Sequence, residues 1–382
     1  MNTPGALSGY RILEVGASAA YAGKLFADHG ADVVMVEPPD GSELRSAYPL
    51  IDGRADDRRS VRFQYIAAGK TSAVVDLDTQ QGRGLFMDML AGADLVLDDR
   101  LQHWWAERGL AFETLRQNHD RLIWCSITPF GQTGPYSHYA GNDLIAMAMG
   151  GMASLAGYED QPTVTRGNLA VQSAALYGAV ASLAMLLGRD GTSGAQFIDI
   201  SMQEVVALGT ETAPQFFDLQ KVNRGRYSTA QRQAGIGVYP CADGYLMIYA
   251  AVGGVGTGWT NLIDWMVESG VEAAREMLSD EWASNRFKQK PESRQAFADA
   301  FDEFARHRTM QELFIEGQRR RIAISPVNGP EQVLKDPHLL EAGAFRHLDI
   351  GGKVIPVPGA PFMLSRTPGR IAGPAPKLGG DE

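Results

Sequence analysis

Hydrophobic residues of this chain fall into short continuous runs separated by stretches with helical spacing. The apolar runs of strand length lie at 10–15, 31–37, 72–77, 93–97, 122–127 and 196–200. Between them, apolar side chains recur every three or four residues, which predicts helices such as those at 19–29 and 80–91. Strands that alternate with helices at this spacing predict a doubly wound α/β fold with a mostly parallel sheet.

The segment from Cys125 to Leu187 has the features of a ligand site. Its strand leads into a Gly- and Pro-rich loop at 130–135 and then into two apolar helices. Such a loop between a buried strand and a helix is a common ligand site in α/β proteins. The second helix, predicted from about Ala170 to Leu187, is apolar on nearly all sides, so we expect it to be buried. Its first turn carries Val171 and Gln172 and no carboxylate.

A second, smaller domain is predicted after the composition changes near residue 214. Residues 215–235 are polar and basic without a clear period, as expected of a long connection. A hairpin at 238–249 is predicted to turn at Asp243 and Gly244. Further helices are expected at 257–268, at 293–306 and from Met310. The predicted organisation is a large domain at 1–213, a linker and small domain at 214–325, and a return to the large domain at 326–382.

The first β-α-β unit ends in the acidic residue Glu37, a feature shared with dinucleotide-binding domains. In those domains a turn with the spacing Gly-x-Gly-x-x-Gly lets the backbone approach a pyrophosphate. Here Gly16 is followed by Ala-Ser-Ala-Ala-Tyr, whose side chains would block that approach. The sequence therefore argues against a nicotinamide-dependent oxidoreductase.

Composition and charge narrow the function classes further. The chain has 382 residues and a net charge of −10, which argues against binding to nucleic acid or to an anionic membrane. Cys125 lies inside an apolar strand and is predicted to be an inert buried thiol. No metal site is expected, because the sequence has no CxxC, no HExxH and no tight His cluster. No signal peptide or membrane span is recognised, so we expect a cytoplasmic location.

Several short motifs occur in a fixed order along nearly the whole chain. They are residues 25–33 with 36–38, residues 69–77, Cys125-Ser126, residues 130–135, Asp143 with Gly150-Gly151, residues 196–201, Pro326-Val327, residues 335–337, 365–368 and 374–376. In this combination the chain resembles the family III CoA-transferases, which include formyl-CoA transferase, carnitine CoA-transferase and α-methylacyl-CoA racemase.

The resemblance implies a Rossmann-like large domain built from both chain ends, a smaller α+β domain, and a dimer of interlocked chains. It also implies coenzyme A, present as an acyl-CoA thioester, and a carboxylic acid as acceptor. In such transferases an Asp attacks the thioester, forms an acyl anhydride and then an aspartyl-CoA thioester, and CoA passes to the acid. Backbone N–H groups and a Gly-rich loop of the small domain stabilise the oxyanions.

This chain departs from the family at the catalytic Asp, which lies at the start of the Ala-rich helix. The position falls on Ala170, Val171 or Gln172, and Gln172 is able to donate a hydrogen bond but not to form an anhydride. In the racemases, a His stands just before the Asp that begins the first helix. A second Asp lies at the start of the Ala-rich helix. Asn142 and the Val171-Gln172 step stand there, so racemase chemistry loses both acid–base groups.

The resemblance also implies candidate binding residues. Arg45 and Lys70 match positions where the family places cations near CoA phosphates, with a solvated surface cation as the alternative for each. Arg100 follows Asp98 and Asp99. An aspartate at this position would repel the CoA phosphates, unless the positive charge of Arg100 compensates for it.

Two further positions have a functional and a purely structural interpretation. Asp143 matches an acidic position near the catalytic Asp, and either acts in catalysis or only caps a helix. Gly253 and Gly254 fall where the mobile Gly-rich loop is expected, or form a turn before the next helix.

Four functions follow from these observations. The first is a subunit of a heteromeric transferase whose paralogous partner supplies the Asp, as in the two-subunit benzylsuccinate CoA-transferases. The second is a self-sufficient enzyme acting on acyl-CoA, a divergent transferase, racemase or isomerase, with Asp143 as base. The third is a CoA-binding regulator without chemistry, and the fourth is the disfavoured oxidoreductase. A neighbouring gene for an Asp-bearing paralogue would favour the first over the second.

Overall fold

The computed structural model describes residues 4–51, 60–155, 157–158, 161–163, 167–191, 194–210, 212–223, 233–250 and 258–380. The strands are β1 (Arg11–Val15), β2 (Asp32–Glu37), β3 (Thr71–Val74), β4 (Leu95–Asp98), β5 (Ile123–Thr128), β6 (Gly157–Tyr158), β7 (Gln161–Pro162), β8 (Gln196–Ser201), β9 (Ile236–Cys241), β10 (Gly244–Tyr249), β11 (Ile324–Pro326), β12 (Phe345–Ile350) and β13 (Lys353–Pro358). The α-helices are α1 (Ala20–Asp28), α2 (Val61–Ile66), α3 (Gln80–Leu90), α4 (Gln102–Ala106), α5 (Phe112–Leu115), α6 (Asp143–Met149), α7 (Met152–Leu155), α8 (Leu169–Gly188), α9 (Met202–Leu208), α10 (Thr212–Gln220), α11 (Gly258–Glu268), α12 (Asn285–Lys288), α13 (Pro291–Ala305), α14 (Met310–Arg319), α15 (Pro330–Lys335) and α16 (Pro337–Glu341). Short 3-10 helices lie at Glu43–Ser46, Arg189–Gly191, Glu272–Leu278 and Asp280–Ala283.

The chain divides into two compact units. The first contains Met1–Leu155, Val164–Arg224 and Pro337–Glu382, and the second contains Ala156–Thr163 and Gly225–Asp336. The limits predicted at 214 and 326 lie earlier than these, because α10 belongs to the first unit and α15 to the second. The short pair β6 and β7, which the sequence analysis did not predict, falls in the second unit.

A six-stranded sheet in the order β3-β2-β1-β4-β5-β8 forms the centre of the first unit. Every neighbouring pair in it is parallel. The chain places β2 and β3 on one side of β1 and then adds β4, β5 and β8 on the other, so the strand order reverses between β1 and β4. The prediction of a doubly wound parallel sheet is confirmed.

Alternate strand residues point into two separate cores, one on each face of this sheet. Ile12 and Val33 pack in the core with α1 and α8, while their neighbours Leu13 and Val34 pack in the core with α3 and Trp105. This explains why β1, β2, β4 and β5 appear in the sequence as continuous apolar runs, since both faces of a parallel sheet are covered by helices.

Helix α8 covers the sheet through a face of small residues. An added Cβ at Gly178 would lie 2.9 Å from Ile127 Cδ1 and 3.2 Å from Cys125 Sγ, so the helix approaches β5 closely. The opposite side is exposed, with Leu176, Val180 and Leu187 at 48%, 60% and 74% exposure. The expectation of a helix buried on all sides is therefore wrong for this chain, because the sheet covers only one side. By length and composition alone α8 is also able to span a membrane, a property it shares with core helices of soluble proteins.

The second unit has its own sheet and its own core. The antiparallel sheet has the order β11-β10-β9, and helices α11, α13 and α14 supply the core that includes Trp265, Phe297 and Phe301. The predicted hairpin is present, but β10 begins at Gly244, so the connecting residues are Ala242 and Asp243.

Candidate functional site

The carboxyl ends of β1 to β4 surround a cleft of about 330 Å³ at the point where the strand order reverses. We call it the strand-end cleft. Its lining includes Gly16, Ala17, Pro38, Ser42, Glu43, Asp76, Leu77, Asp78, Asp99, Arg100 and Trp104. Open α/β sheets bind ligands at this topological position.

Acidic groups dominate the walls of the strand-end cleft. Arg100 lines the cleft, but its Nε lies 3.4 Å from Asp99 Oδ1, so its charge is partly neutralised. Arg108 stacks on Trp104, 3.8 Å from the ring centre, and its Nη2 lies 2.6 Å from Asp78. The cleft therefore offers a phosphate little uncompensated positive charge.

Asp99 is held against the turn that follows β1. Its Oδ2 accepts a hydrogen bond of 3.0 Å from the backbone N–H of Ser18, and an added Cβ at Gly16, whose φ is +95°, would meet its Oδ1 at 2.0 Å. Burial raises the pKa of Asp99, although Arg100 opposes the shift. Oδ1 is buried, and its contact with Arg100 Nε at 3.4 Å is an ion pair without the geometry of a hydrogen bond. This wall favours a ligand that donates hydrogen bonds over one that accepts them.

The neighbouring Asp98 serves the fold. Its carboxylate accepts hydrogen bonds from Trp105 Nε1 at 3.0 Å, Ser126 Oγ at 2.8 Å, the Arg100 N–H at 2.8 Å, and Trp124 Nε1. Burial raises its pKa to about 7. The side chain is fully buried and does not reach the cleft.

Lys70 and Arg45, the two cations expected near CoA phosphates, are buried and are not among the residues that line the strand-end cleft. Lys70 Nζ lies 2.6 Å from Glu14 Oε2 and donates to the Ala20 carbonyl at 2.8 Å, and burial lowers its pKa against the opposing effect of Glu14. Arg45 donates to both oxygens of Glu37 at 2.6 and 2.7 Å. The alternative of solvated surface cations is wrong, because both side chains are buried in ion pairs.

The Gly/Pro loop at 130–135 is held by the protein itself. Gln132 N–H donates to Asp199 Oδ2 at 2.9 Å, and its side chain bonds Ser126 Oγ and the Gln102 N–H. These bonds engage the backbone N–H and the side-chain amide of Gln132, so this residue serves to anchor the loop.

A second cleft, of about 620 Å³, lies at the amino-terminal ends of α6 and α8. We call it the helix-end cleft, and it shares Ala17 and Glu43 with the strand-end cleft. Its lining is Ala17, Ser18, Glu43, Leu44, Arg62, Gly141, Asn142, Asp143, Leu144, Gly167, Asn168, Val171 and Met202.

Asp143 caps a helix, but not the one that it begins. Asn142 Oδ1 accepts the Ile145 N–H at 3.1 Å and so caps α6, whereas Asp143 Oδ1 accepts the Val171 N–H at 3.0 Å in the first turn of α8. The described residues donate no hydrogen bond to the second oxygen of Asp143. The carboxylate thus lies beside the start of α8, the helix turn on which the family resemblance places the nucleophile.

The first turn of α8 brings Val171, rather than Gln172, to the helix-end cleft. Val171 is among the lining residues and Gln172 is not, and the Gln172 N–H bonds the Asn168 carbonyl at 2.9 Å. Asn168 precedes the helix in a left-handed conformation with φ 58°. No acidic residue occupies the first turn of α8.

Arg62 is a cleft residue that the sequence analysis missed. It is the second residue of α2, which Ser60 caps by accepting the Phe63 N–H at 3.1 Å. The only available signal was that Arg62 is the one charged residue between Ser60 and Gly69.

The remaining expectations concern the Gly-rich loop, the buried cysteine and metal ligands. Gly253 and Gly254 lie outside the described residues. Cys125 is buried as expected, and burial raises the pKa of its thiol to about 12. Among the residues that the structure describes, no group of three or more His, Cys, Asp or Glu side chains is placed to hold a metal ion.

Comparison with known proteins identifies the family. The family model for CoA-transferase family III matches residues 7–382. The chain belongs to CoA-transferase family III. It is 34% identical over 378 residues to the succinyl-CoA:(R)-benzylsuccinate CoA-transferase subunit BbsE of Thauera aromatica, covering 97% of this chain and 91% of that protein. It is 30% identical to the succinate–glutarate CoA-transferase of Agrobacterium fabrum, covering 98% and 93%.

A solved structure agrees with the fold of this family member. The CAIB/BAIF family protein from Brucella suis superposes with a TM-score of 0.82 at 24% identity, covering 99% of this chain and 97% of that one. The family resemblance expected from the motifs is confirmed.

Proposed function

We propose that this chain is a subunit of a family III CoA-transferase that moves CoA between an acyl-CoA thioester and a carboxylic acid, with a paralogous partner supplying the nucleophilic Asp. The first turn of α8 is the observation that carries this proposal, because Val171 lines the cleft there and no acidic side chain is present. An aliphatic side chain cannot attack a thioester, so the carboxylate for the transfer comes from the partner.

The strand-end cleft supports this division of labour. CoA carries three phosphate groups, whereas the cleft is lined by Glu43, Asp76, Asp78 and Asp99 with Arg100 as the cation among its lining residues. The negative charges of these carboxylates repel the phosphates of CoA and therefore disfavour its binding. In the proposed heteromer, CoA binds chiefly to the partner, and any CoA contact of this chain is made by Arg100.

The names of the two relatives guide the choice of substrates. They include succinate, glutarate and benzylsuccinate, which are all dicarboxylic acids. We extend this class to the present chain, so that the donor is the CoA thioester of one dicarboxylic acid and the acceptor is another.

The exposed side of α8 supports a partner chain. Leu176, Tyr177, Val180 and Leu187 lie on this side, and side chains of this kind are costly to leave in water. We propose that the partner covers them in an interlocked dimer and that the assembly is cytoplasmic.

Native mass spectrometry of the protein purified from its own host tests the subunit proposal. The expected result is a heteromer with an Asp-bearing paralogue that transfers CoA between dicarboxylic acids, with no transfer by this chain alone. A Val180→Asp variant should weaken the assembly, while Leu85→Asp, at an exposed position of α3, should not. A pure homodimer with full activity would overturn the proposal.

A self-sufficient enzyme with Asp143 as base is the second candidate. It is favoured by the position of that carboxylate in the helix-end cleft, with one oxygen free of hydrogen bonds from described residues. For this candidate, the homodimer turns over a CoA thioester and Asp143→Asn abolishes the turnover. Unchanged activity of that variant would exclude it.

A further inference from the structure

Arg62 is placed by α2 at the wall of the helix-end cleft, opposite the start of α8. Ser60 fixes the start of α2 through two hydrogen bonds, from its Oγ to the Ala47 carbonyl at 2.6 Å and from the Phe63 N–H to its Oγ at 3.1 Å. Phe63 and Ile66 on the same helix are buried, so the backbone that carries Arg62 is anchored in the core.

Within the described residues, Arg62 makes no ion pair and no hydrogen bond. Its Nε is buried and lacks an acceptor. A guanidinium remains charged in proteins and has five N–H donors, so an unpaired one in a partly buried position is costly to keep. Other buried cations of this region, Lys24, Lys70 and Arg45, are all paired with a carboxylate.

The surroundings of Arg62 limit what it can bind. Glu43 and Asp143 lie near enough to act on its charge but do not pair with it, while Leu44, Leu144, Val171 and Met202 supply apolar walls. Burial lowers the pKa of Arg62 and the two carboxylates oppose that shift. A site with these neighbours suits a small anion of low charge with a short apolar body.

We propose that Arg62 binds a carboxylate of a small organic acid in the helix-end cleft, and that this is the free carboxylate of the dicarboxylic substrate. The identity of the acid as a substrate rests on the proposed function. The planar guanidinium fork matches a carboxylate with two parallel N–H···O bonds. A carboxylate is preferred to a phosphate because it adds one negative charge beside Glu43 and Asp143, whereas a phosphate adds nearly two.

Direct binding to the purified protein, in whatever assembly it forms, tests this site. Isothermal titration with succinate and glutarate compares the wild type with Arg62→Met, which keeps the aliphatic volume, and with Arg62→Lys, which keeps the charge without the fork. Arg116→Met is the matched control, because Arg116 lies at the surface beside Glu113. We expect Arg62→Met to bind roughly 10- to 100-fold more weakly, Arg62→Lys to be intermediate, and the control to equal the wild type.

Three results would overturn the assignment. They are undetectable succinate and glutarate binding to the folded wild type, equal binding by Arg62→Met, and tighter Arg62-dependent binding of inorganic phosphate than of either acid. The transfer assay is a separate readout: Arg62-dependent acid binding without any CoA transfer would remove the proposed function alone. Transfer that is intact in Arg62→Met, with unchanged acid binding, would remove this inference alone.

Discussion

Three cations of the first unit, Lys70, Arg45 and Arg62, lie close together in the sequence but have different environments. Lys70 and Arg45 are buried and each bonds a single carboxylate, at 2.6 Å from Glu14 and from Glu37. Arg62 is partly exposed in a cleft, and the described residues provide it with no partner. Neutralised cations hold strands and helices together, whereas an unpaired cation beside a cleft is available to a ligand.

The comparison shows that the position of a cation in the sequence does not decide its environment in the fold. Lys70 pairs with Glu14, which lies 56 positions earlier in the sequence on another element. Such a pair keeps the cation away from the surface. The function of each cation therefore depends on its partner, and the following measurements test the two kinds of environment.

The largest effect is expected at Lys70. Lys70→Met leaves the Glu14 carboxylate buried without its counterion, which should lower the free energy of unfolding by about 3–5 kcal/mol. Urea unfolding followed by circular dichroism measures the loss. The double variant Glu14→Leu/Lys70→Met should recover most of it, and Lys221→Ala, an exposed pair with Asp218, should change stability by less than about 0.5 kcal/mol. A single variant as stable as the control would contradict the structural role.

A smaller and pH-dependent effect is expected at Glu37. Burial alone would raise the pKa of Glu37, but hydrogen bonds from Arg45, Ser72 and the Ser42 N–H outweigh it and hold the pKa below its ordinary value. Its ionisation therefore contributes stability above the unfolded pKa of about 4.3, and this contribution is lost as the pH falls through the lower folded pKa.

Glu37→Gln should accordingly cost about 2–3 kcal/mol at pH 7, and the difference from the wild type should shrink below about pH 4. Urea unfolding at pH 7, 5 and 3.5 measures this difference. Glu113→Gln, which removes an exposed ion pair with Arg116, is the control and should show little change. A gap that stays constant down to pH 3.5 would argue against the charge-assisted pairing.

A still smaller effect is expected at Asp143, which lies in the same cleft as Arg62 but has a partner. Asp143→Ala removes the acceptor for the Val171 N–H and should lower stability by about 1 kcal/mol, while Asp143→Asn keeps an acceptor and should lose less. Thermal unfolding compares the two variants. Equal losses would show that the capping bond is not what Asp143 contributes.

The smallest effect is expected at Arg62. Because no described residue pairs with it, Arg62→Met should lower the unfolding free energy by no more than about 0.5 kcal/mol without added acid, and removal of the unpaired charge is expected to raise it instead. The same urea experiment measures it beside Lys70→Met. A loss as large as that of Lys70→Met would reveal an internal partner and would end the contrast between the two environments.

The sequence by itself determined the layered α/β core. The apolar runs at β1, β2, β4 and β5 and the spacing of the helices between them specify a parallel sheet covered on both faces. The order of the motifs was enough to indicate the family. The absence of an acidic residue in the first turn of α8 was also readable, because it depends on residue identity alone.

Only the tertiary structure decided which polar groups are free. It paired Lys70 with Glu14 and Arg45 with Glu37, and it turned Asp143 toward the Val171 N–H of another helix. It also exposed one side of α8, since a helix packed on a sheet is covered on a single side. These outcomes depend on which residues, distant in the sequence, lie within a few ångströms of a given side chain. Local sequence patterns do not contain that information.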